Sequence, residues 1–253
     1  MLNRPKVLGV IPARYASSRF PGKIIARIAG KPMIQRVYEQ AVKSQLLDQL
    51  IVAVDDQRIQ KCVEDFGGKA IMTGTNHQSG TDRIAEVVEK LDDCIVVNIQ
   101  GDQPLFDPVM IDEAVQPLLD DPLLQMSTLK IKIGEEDYYD PAVVKVVVDE
   151  NDNALYFSRS LIPYNQKFKD VNVYEHVGLY VYRKQFLLEI SKLPQSHLEQ
   201  IESLEQLRVL EKGYKIKVIE TKSDRNAGIS VDTPEDLAKV EQLIQELNLD
   251  KIT

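Results

Sequence analysis

Seventeen residues near the amino terminus, Val7 to Lys23 (VLGVIPARYASSRFPGK), constrain this chain more than any other stretch. Val7 to Ile11 is an apolar run of the length and character of a strand buried on both faces. Pro12 is expected to stop it, because proline has no N–H to give a sheet ladder. A loop of small residues follows, with Arg14, Arg19 and Lys23 spaced through it. Ala16, Ser17, Ser18 and Gly22 let its backbone approach a ligand, and exposed N–H groups in such a loop bind anions. Open α/β sheets bind ligands at loops that leave the carboxyl ends of parallel strands. A solvated basic turn would contain the same cations. The strand, the small residues and the three cations arriving together favour a polyphosphate site instead.

The rest of the chain supplies the sheet that such a loop needs. Met33, Ile34, Val37, Ala41 and Val42 recur at helical spacing after Gly30-Lys31-Pro32, where Pro32 suits a first helical position. Leu50 to Val54 reads as a strand, the segment through Ile59, Cys62 and Val63 as a helix stopping at Gly67-Gly68, and Ala70 to Met72 as a strand. This βαβαβ alternation predicts a parallel, doubly wound sheet. With 253 residues, one large domain or one domain with an elaborate subdomain can bury its core. A net charge of −8 argues against a general nucleic-acid binder, so the cations that matter must be local. Cys62 and Cys94 read as small core residues rather than a disulfide or metal framework. No window has the apolar length of a membrane span, and no leader pattern precedes Val7, so a cytoplasmic location is expected.

Three polar stretches interrupt the apolar pattern. Thr73 to Gly80 (TGTNHQSG) enters a helix over Thr81 to Lys90, with Ser79 and Asp82 spaced as a capping box. Gln78 can donate and accept, so it either reads the edge of a base or faces water. Cys94 to Ile99 is a β-branched run followed by Gln100-Gly101-Asp102-Gln103-Pro104, and a carboxylate there can reach a metal held on phosphates. The alternative is a turn aspartate. In VDTPEDL (Val231 to Leu237), Thr233 caps a helix that begins at Pro234, with Asp236 completing the box, which leaves Asp232 for another task. From Ser127 the pattern turns to strands at Ser127 to Ile133, Val143 to Val148, Ala154 to Phe157 and Val177 to Tyr182. That predicts a β-rich region, residues 127–182, inserted into the α/β core. One helix with its apolar stripe on Leu198, Ile201, Leu204, Leu207 and Leu210 is expected to end at Gly213, with a strand at Tyr214 to Ile219.

These motifs, taken in order, resemble the 3-deoxy-manno-octulosonate cytidylyltransferases, the CMP-Kdo synthetases. PARYASSRFPGK, HQSGTDR, VNIQGDQP, ALYFSRSLIP, EHVGLYVYR, LEQLRVLEKG and VDTPEDL carry the likeness across almost the whole chain. The resemblance implies a three-layer α/β/α nucleotidyltransferase with a mixed, mainly parallel sheet, in which the inserted region binds sugar and forms a homodimer. It implies that CTP and Kdo give CMP-Kdo and pyrophosphate, for lipopolysaccharide synthesis. Pro12, Ala13, Arg14, Ser17, Arg19, Lys23, Thr73, Gln78, Ser79 and Gly80 would then hold CTP. Asp102 and Asp232 would hold Mg²⁺, and Lys23 would act with them in catalysis. By the same likeness Gln103, Arg159, His176, Glu205 and Gln206 would hold the sugar acid, although a lone histidine beside a strand is more often structural. Two positions depart from the pattern: Glu175 where a basic residue is expected, and Gln103 where glutamate is common. Both bear on the sugar, so an 8-amino variant of Kdo, or another sugar nucleotidyltransferase reaction, stands beside Kdo. A non-catalytic nucleotide-sugar binder would have no need of Lys23, Asp102 and Asp232 together.

Overall fold

Alternation along the first strand sorts the molecule into its layers. The computed structural model describes residues 4–16, 20–167 and 171–246. In β1 (Val7–Ala13), Val7, Ile11 and Ala13 join one hydrophobic core, while Leu8 and Val10 join the other. Both faces of a strand that reads as continuously apolar are therefore covered, as its composition requires. The first core takes the inner faces of α1 (Met33–Ala41), α2 (Gln57–Asp65), α4 (Val109–Asp120) and α8 (Pro234–Glu246). The second takes α3 (Gly80–Glu89), α5 (Lys184–Ile190), α6 (His197–Glu202) and α7 (Leu207–Glu211).

Between them lies a mixed sheet. Its main path also contains β4 (Gln49–Val54), β5 (Ala70–Met72), β6 (Ile95–Asn98), β7 (Met126–Lys132), β10 (Tyr174–Arg183) and β11 (Lys217–Glu220), in the order β11-β7-β10-β6-β1-β4-β5. β1 pairs in parallel with β4 and β6, β4 with β5, and β11 with β7. β10 runs antiparallel to both of its neighbours, β6 and β7. The carboxyl ends of the parallel strands thus share one edge, and β10 starts at that edge instead of ending there. β8 (Lys145–Val148) and β9 (Ala154–Ser158) leave the path as a hairpin on the start of β10. β2 (Arg27–Ile28) and β3 (Lys31–Pro32) form a separate small ribbon.

Several expectations need adjusting. Pro12 does not stop β1, where it pairs with Ala53. Val10 faces β6, accepting from the Ile99 N–H, and Pro12 has the same parity, beyond the last β6 pair at Val10 and Asn98. Its missing donor costs no ladder bond. Pro32 precedes α1 instead of opening it. Residues 127–182 are not a separate inserted unit, because β7 and β10 are interior strands of the main sheet and only β8 and β9 depart from it. The helix expected over 198–213 is two, broken at Ser203, whose φ of 53° is left-handed.

Candidate active site

Four loops and one strand start meet at the common edge. The loop after β1 returns to Lys23, and the turn after β6 presents Asp102. The segment after β11 brings Asp232 just ahead of α8, where Thr233 accepts from the Asp236 N–H and Asp236 accepts from that of Thr233. The Lys23 ammonium donates to Asp102 Oδ2 at 2.8 Å, to Asp232 Oδ1 at 2.9 Å and to the Val231 carbonyl at 3.1 Å. Val231 N–H in turn donates to the Asp102 carbonyl at 2.8 Å, which joins the two carboxylate-bearing segments. Burial pulls the Lys23 pKa down, but Asp102 and Asp232 outweigh it and leave the pKa raised above 10.5. The ammonium is therefore a permanent cation near neutral pH.

A cavity of about 240 Å³ opens beside this cluster, bordered by Pro12, Arg14, Lys23 and Asp102 on one side and by His77 to Gly80 and Arg83 on the other. Ser79 and Asp82 form the capping box read from the sequence, at the amino terminus of α3. Gly80 is the close approach: a Cβ there would lie 3.2 Å from Pro12 Cγ. Of the residues expected at a nucleotide, Pro12, Arg14, Lys23, Gln78, Ser79 and Gly80 border the cavity, while Ser17 and Arg19 lie outside the described residues. Ala13 is buried in β1. Thr73 is a support, with its hydroxyl donating to the Val54 carbonyl and accepting from Arg83.

The turn at 100–103 separates this cavity from a second, of about 430 Å³. Asp102 borders the first and Gln103 the second. Gln103 donates to the Gly228 carbonyl at 3.3 Å, and Gln100 to that of Gly178 at 2.9 Å. His176, Glu175 and Arg225 also face the second cavity. Arg225 is paired with Asp137 and lies 3.9 Å from Glu175. Burial raises the Glu175 pKa, with Arg225 opposing and Asp137 adding to the shift.

The other three residues expected at the sugar are elsewhere. Arg159 donates to the carbonyls of Glu202 at 2.9 Å and Pro141 at 2.8 Å, so its guanidinium ties main-chain segments together and does not border either cavity. Glu205 and Gln206 border a third, smaller space of about 20 Å³ with Thr81, Tyr180 and Tyr182. Glu205 accepts from Thr81 Oγ1 at 3.0 Å, and its pKa is raised by burial against the donors Thr81 and Ser79. These two residues therefore back the amino terminus of α3.

Known proteins decide which family builds this edge. A cytidylyltransferase family model matches residues 8–216. The 3-deoxy-manno-octulosonate cytidylyltransferase of Geotalea daltonii is 51% identical over 95% of this chain and 99% of its own length. That of Syntrophus aciditrophicus is 52% identical over 94% and 97%. The chain belongs to the 3-deoxy-manno-octulosonate cytidylyltransferase family. A solved CMP:2-keto-3-deoxy-manno-octonic acid synthetase complexed with CTP superposes with a TM-score of 0.91, at 46% identity, over 95% of this chain and 99% of that one.

In this cytidylyltransferase the structure also adds residues that motif reading left without a role. Arg83 closes the HQSGTDR motif and borders the first cavity. Asp55 follows β4 as Asp102 follows β6, a signal that could have been read from the chain. His176 is sandwiched by Phe157 and Tyr180, 4.9 and 5.2 Å away between ring centres, and contacts Thr128 Oγ1 at 2.9 Å. Burial lowers its pKa from 6.5 to about 3. Between those values the unfolded chain binds a proton that the folded one refuses, so stability falls as pH falls below 6.5, by about 2 kcal/mol at pH 5. In His176→Gln the drop in melting temperature from pH 7 to pH 5 is expected to shrink by about 5 °C. An unchanged drop would show that the imidazole protonates freely in the folded state.

Proposed function

We propose that this chain transfers the cytidylyl group of CTP to the anomeric hydroxyl of Kdo, with release of pyrophosphate. The observation that carries the reading is the cluster of Lys23, Asp102 and Asp232 beside the turn between two cavities. The first cavity takes CTP and the second takes the sugar acid. The hydroxyl oxygen attacks the α-phosphorus in line, the bond from that phosphorus to the bridging oxygen breaks, and the hydroxyl proton passes to solvent. Arg14 and Lys23 offset the negative charge of the triphosphate, and Arg19 is assigned the same task by resemblance. Such transfer depends on positioning and charge neutralisation more than on covalent chemistry. His77 to Gly80 face the base, with Gln78 reading its polar edge. Gln103 and His176 meet the sugar.

The donor set fits Mg²⁺. Two carboxylates already converge on one cation, and magnesium prefers one or two carboxylates together with phosphate oxygens and water. Among the described residues no group of three or more His, Cys, Asp or Glu converges, so phosphate and water would supply the remaining ligands. Asp102 and Asp232 would hold the ion, which supplies charge neutralisation at the phosphates when bound. The reading extends to a homodimer working in the cytoplasm. No helix among the described residues is long and apolar enough to cross a membrane.

Glu175 supports a second reading. A carboxylate on the wall of the sugar cavity suits an ammonium substituent, as in 8-amino-Kdo, better than a hydroxyl. Pyrophosphate release from CTP, UTP and ATP against Kdo and 8-amino-Kdo, with and without Mg²⁺, tests both readings. CTP with Kdo and Mg²⁺ is expected to be fastest. A tenfold preference for the amino sugar would move the assignment to the second reading, and equal rates with ATP would remove the pyrimidine pocket.

A further inference from the structure

One carboxylate joins the loop that carries the cations to the segment that faces the base. Asp55, just past the end of β4, accepts the Tyr15 N–H on Oδ1 at 3.0 Å and the Arg83 guanidinium on Oδ2 at 2.9 Å. Both side chains of the ion pair are nearly buried, at 5% exposure for Arg83 and 12% for Asp55. Arg83 spends its other terminal nitrogen on Thr73 Oγ1 and the Gly74 carbonyl, the start of the segment that runs to Gly80. Tyr15 closes the cation loop at its base. Its carbonyl accepts the Gly22 N–H at 3.0 Å, and its ring lies 3.4 Å from a stacked Arg58 guanidinium. Gly22 has a φ of +72°, and a Cβ there would approach the Tyr15 hydroxyl to 3.2 Å, so that closure also depends on glycine.

From this geometry we infer that Asp55 is a positioning residue for the nucleotide: it fixes the phosphate-facing loop and the base-facing segment at one separation. The inference rests on the cytidylyltransferase reading of the first cavity. Each carboxylate oxygen has a partner from a different segment, so no neutral isostere replaces it. An asparagine can accept from Tyr15 or from Arg83 but presents an N–H to the other. Without Asp55 the two segments must be ordered by CTP itself, and that ordering cost falls on nucleotide affinity. The acceptor cavity shares no residue with this clasp, so sugar affinity is spared.

Steady-state kinetics and calorimetric CTP binding test this. The parent enzyme must first release pyrophosphate from CTP and Kdo; if it does not, the functional reading fails and not the clasp. Given that activity, Asp55→Ala is expected to raise KM and Kd for CTP about thirtyfold, with kcat and sugar KM within about threefold of the parent. Asp55→Asn should fall between the two. Should Asp55→Ala fail to fold, the surface change Arg58→Ala, which removes the stack on Tyr15 together with an exposed ion pair to Asp56, is expected to raise KM for CTP about threefold. An unchanged CTP affinity in the folded variant tested, or equal losses toward CTP and sugar, overturns the inference.

Discussion

Asp102→Asn and Asp232→Asn are each expected to cut pyrophosphate release by about a thousandfold, at any Mg²⁺ concentration that leaves the protein soluble. Both changes keep the side-chain shape and remove one of the two negative charges that converge on Lys23. A neutral amide is a poor magnesium ligand, and removing one of two charged oxygen donors weakens a site that has few to spare. Folding should survive, because both carboxylates are partly exposed and their pairs with Lys23 contribute modestly to stability. Circular dichroism and melting temperature close to the parent's would confirm that the loss is chemical. Near-parental turnover in either variant would show that the two carboxylates do not share a metal.

The second large effect belongs to the ammonium itself. Lys23→Ala is expected to lower kcat by about a hundredfold or more while raising the KM for CTP only severalfold. Charge shifts toward the departing pyrophosphate during transfer, and a fixed cation facing developing charge is worth roughly 3 kcal/mol. A variant with parental kcat and a large rise in KM would place Lys23 in ground-state binding alone.

How far these residues could be read from the chain depended on the range of the interactions involved. The box at Ser79 and Asp82 and the box at Thr233 and Asp236 are local, and sequence spacing is enough to specify them. Asp102 and Asp232 were legible because each follows a recognisable strand or precedes a capped helix. The helix Val109–Asp120 was not read, and it carries Pro117, a residue that ordinarily argues against a helix interior. The placing of β10 between β6 and β7 is a long-range pairing that no local pattern encodes. Arg159 shows the same limit at a single side chain. Its sequence neighbours resemble a sugar-binding motif, yet its partners are carbonyls at 141 and 202, set by how distant segments pass one another. Glu205 and Gln206 follow a helix break at Ser203, and a left-handed serine has no strong sequence signature.

The reversed strand β10 has a consequence for how such a chain can change over time. Every residue that borders the first cavity comes before it, through the turn after β6, and Asp232 reaches Lys23 from the far end of the chain. Most of what faces the second cavity comes from β7, the start of β10 and the segment after β11. The strand that runs backwards is a border between two heritable halves. Glu175 and Arg225 border the second cavity and neither borders the first, so on the proposed assignment substitutions there alter the lodging of the acceptor and leave the lining of the nucleotide's compartment unchanged. On the proposed assignment of the two cavities a lineage can therefore trial new acceptors while its use of the donor stays under selection, and Glu175, at the start of β10, falls on the side of the border where such trials cost least.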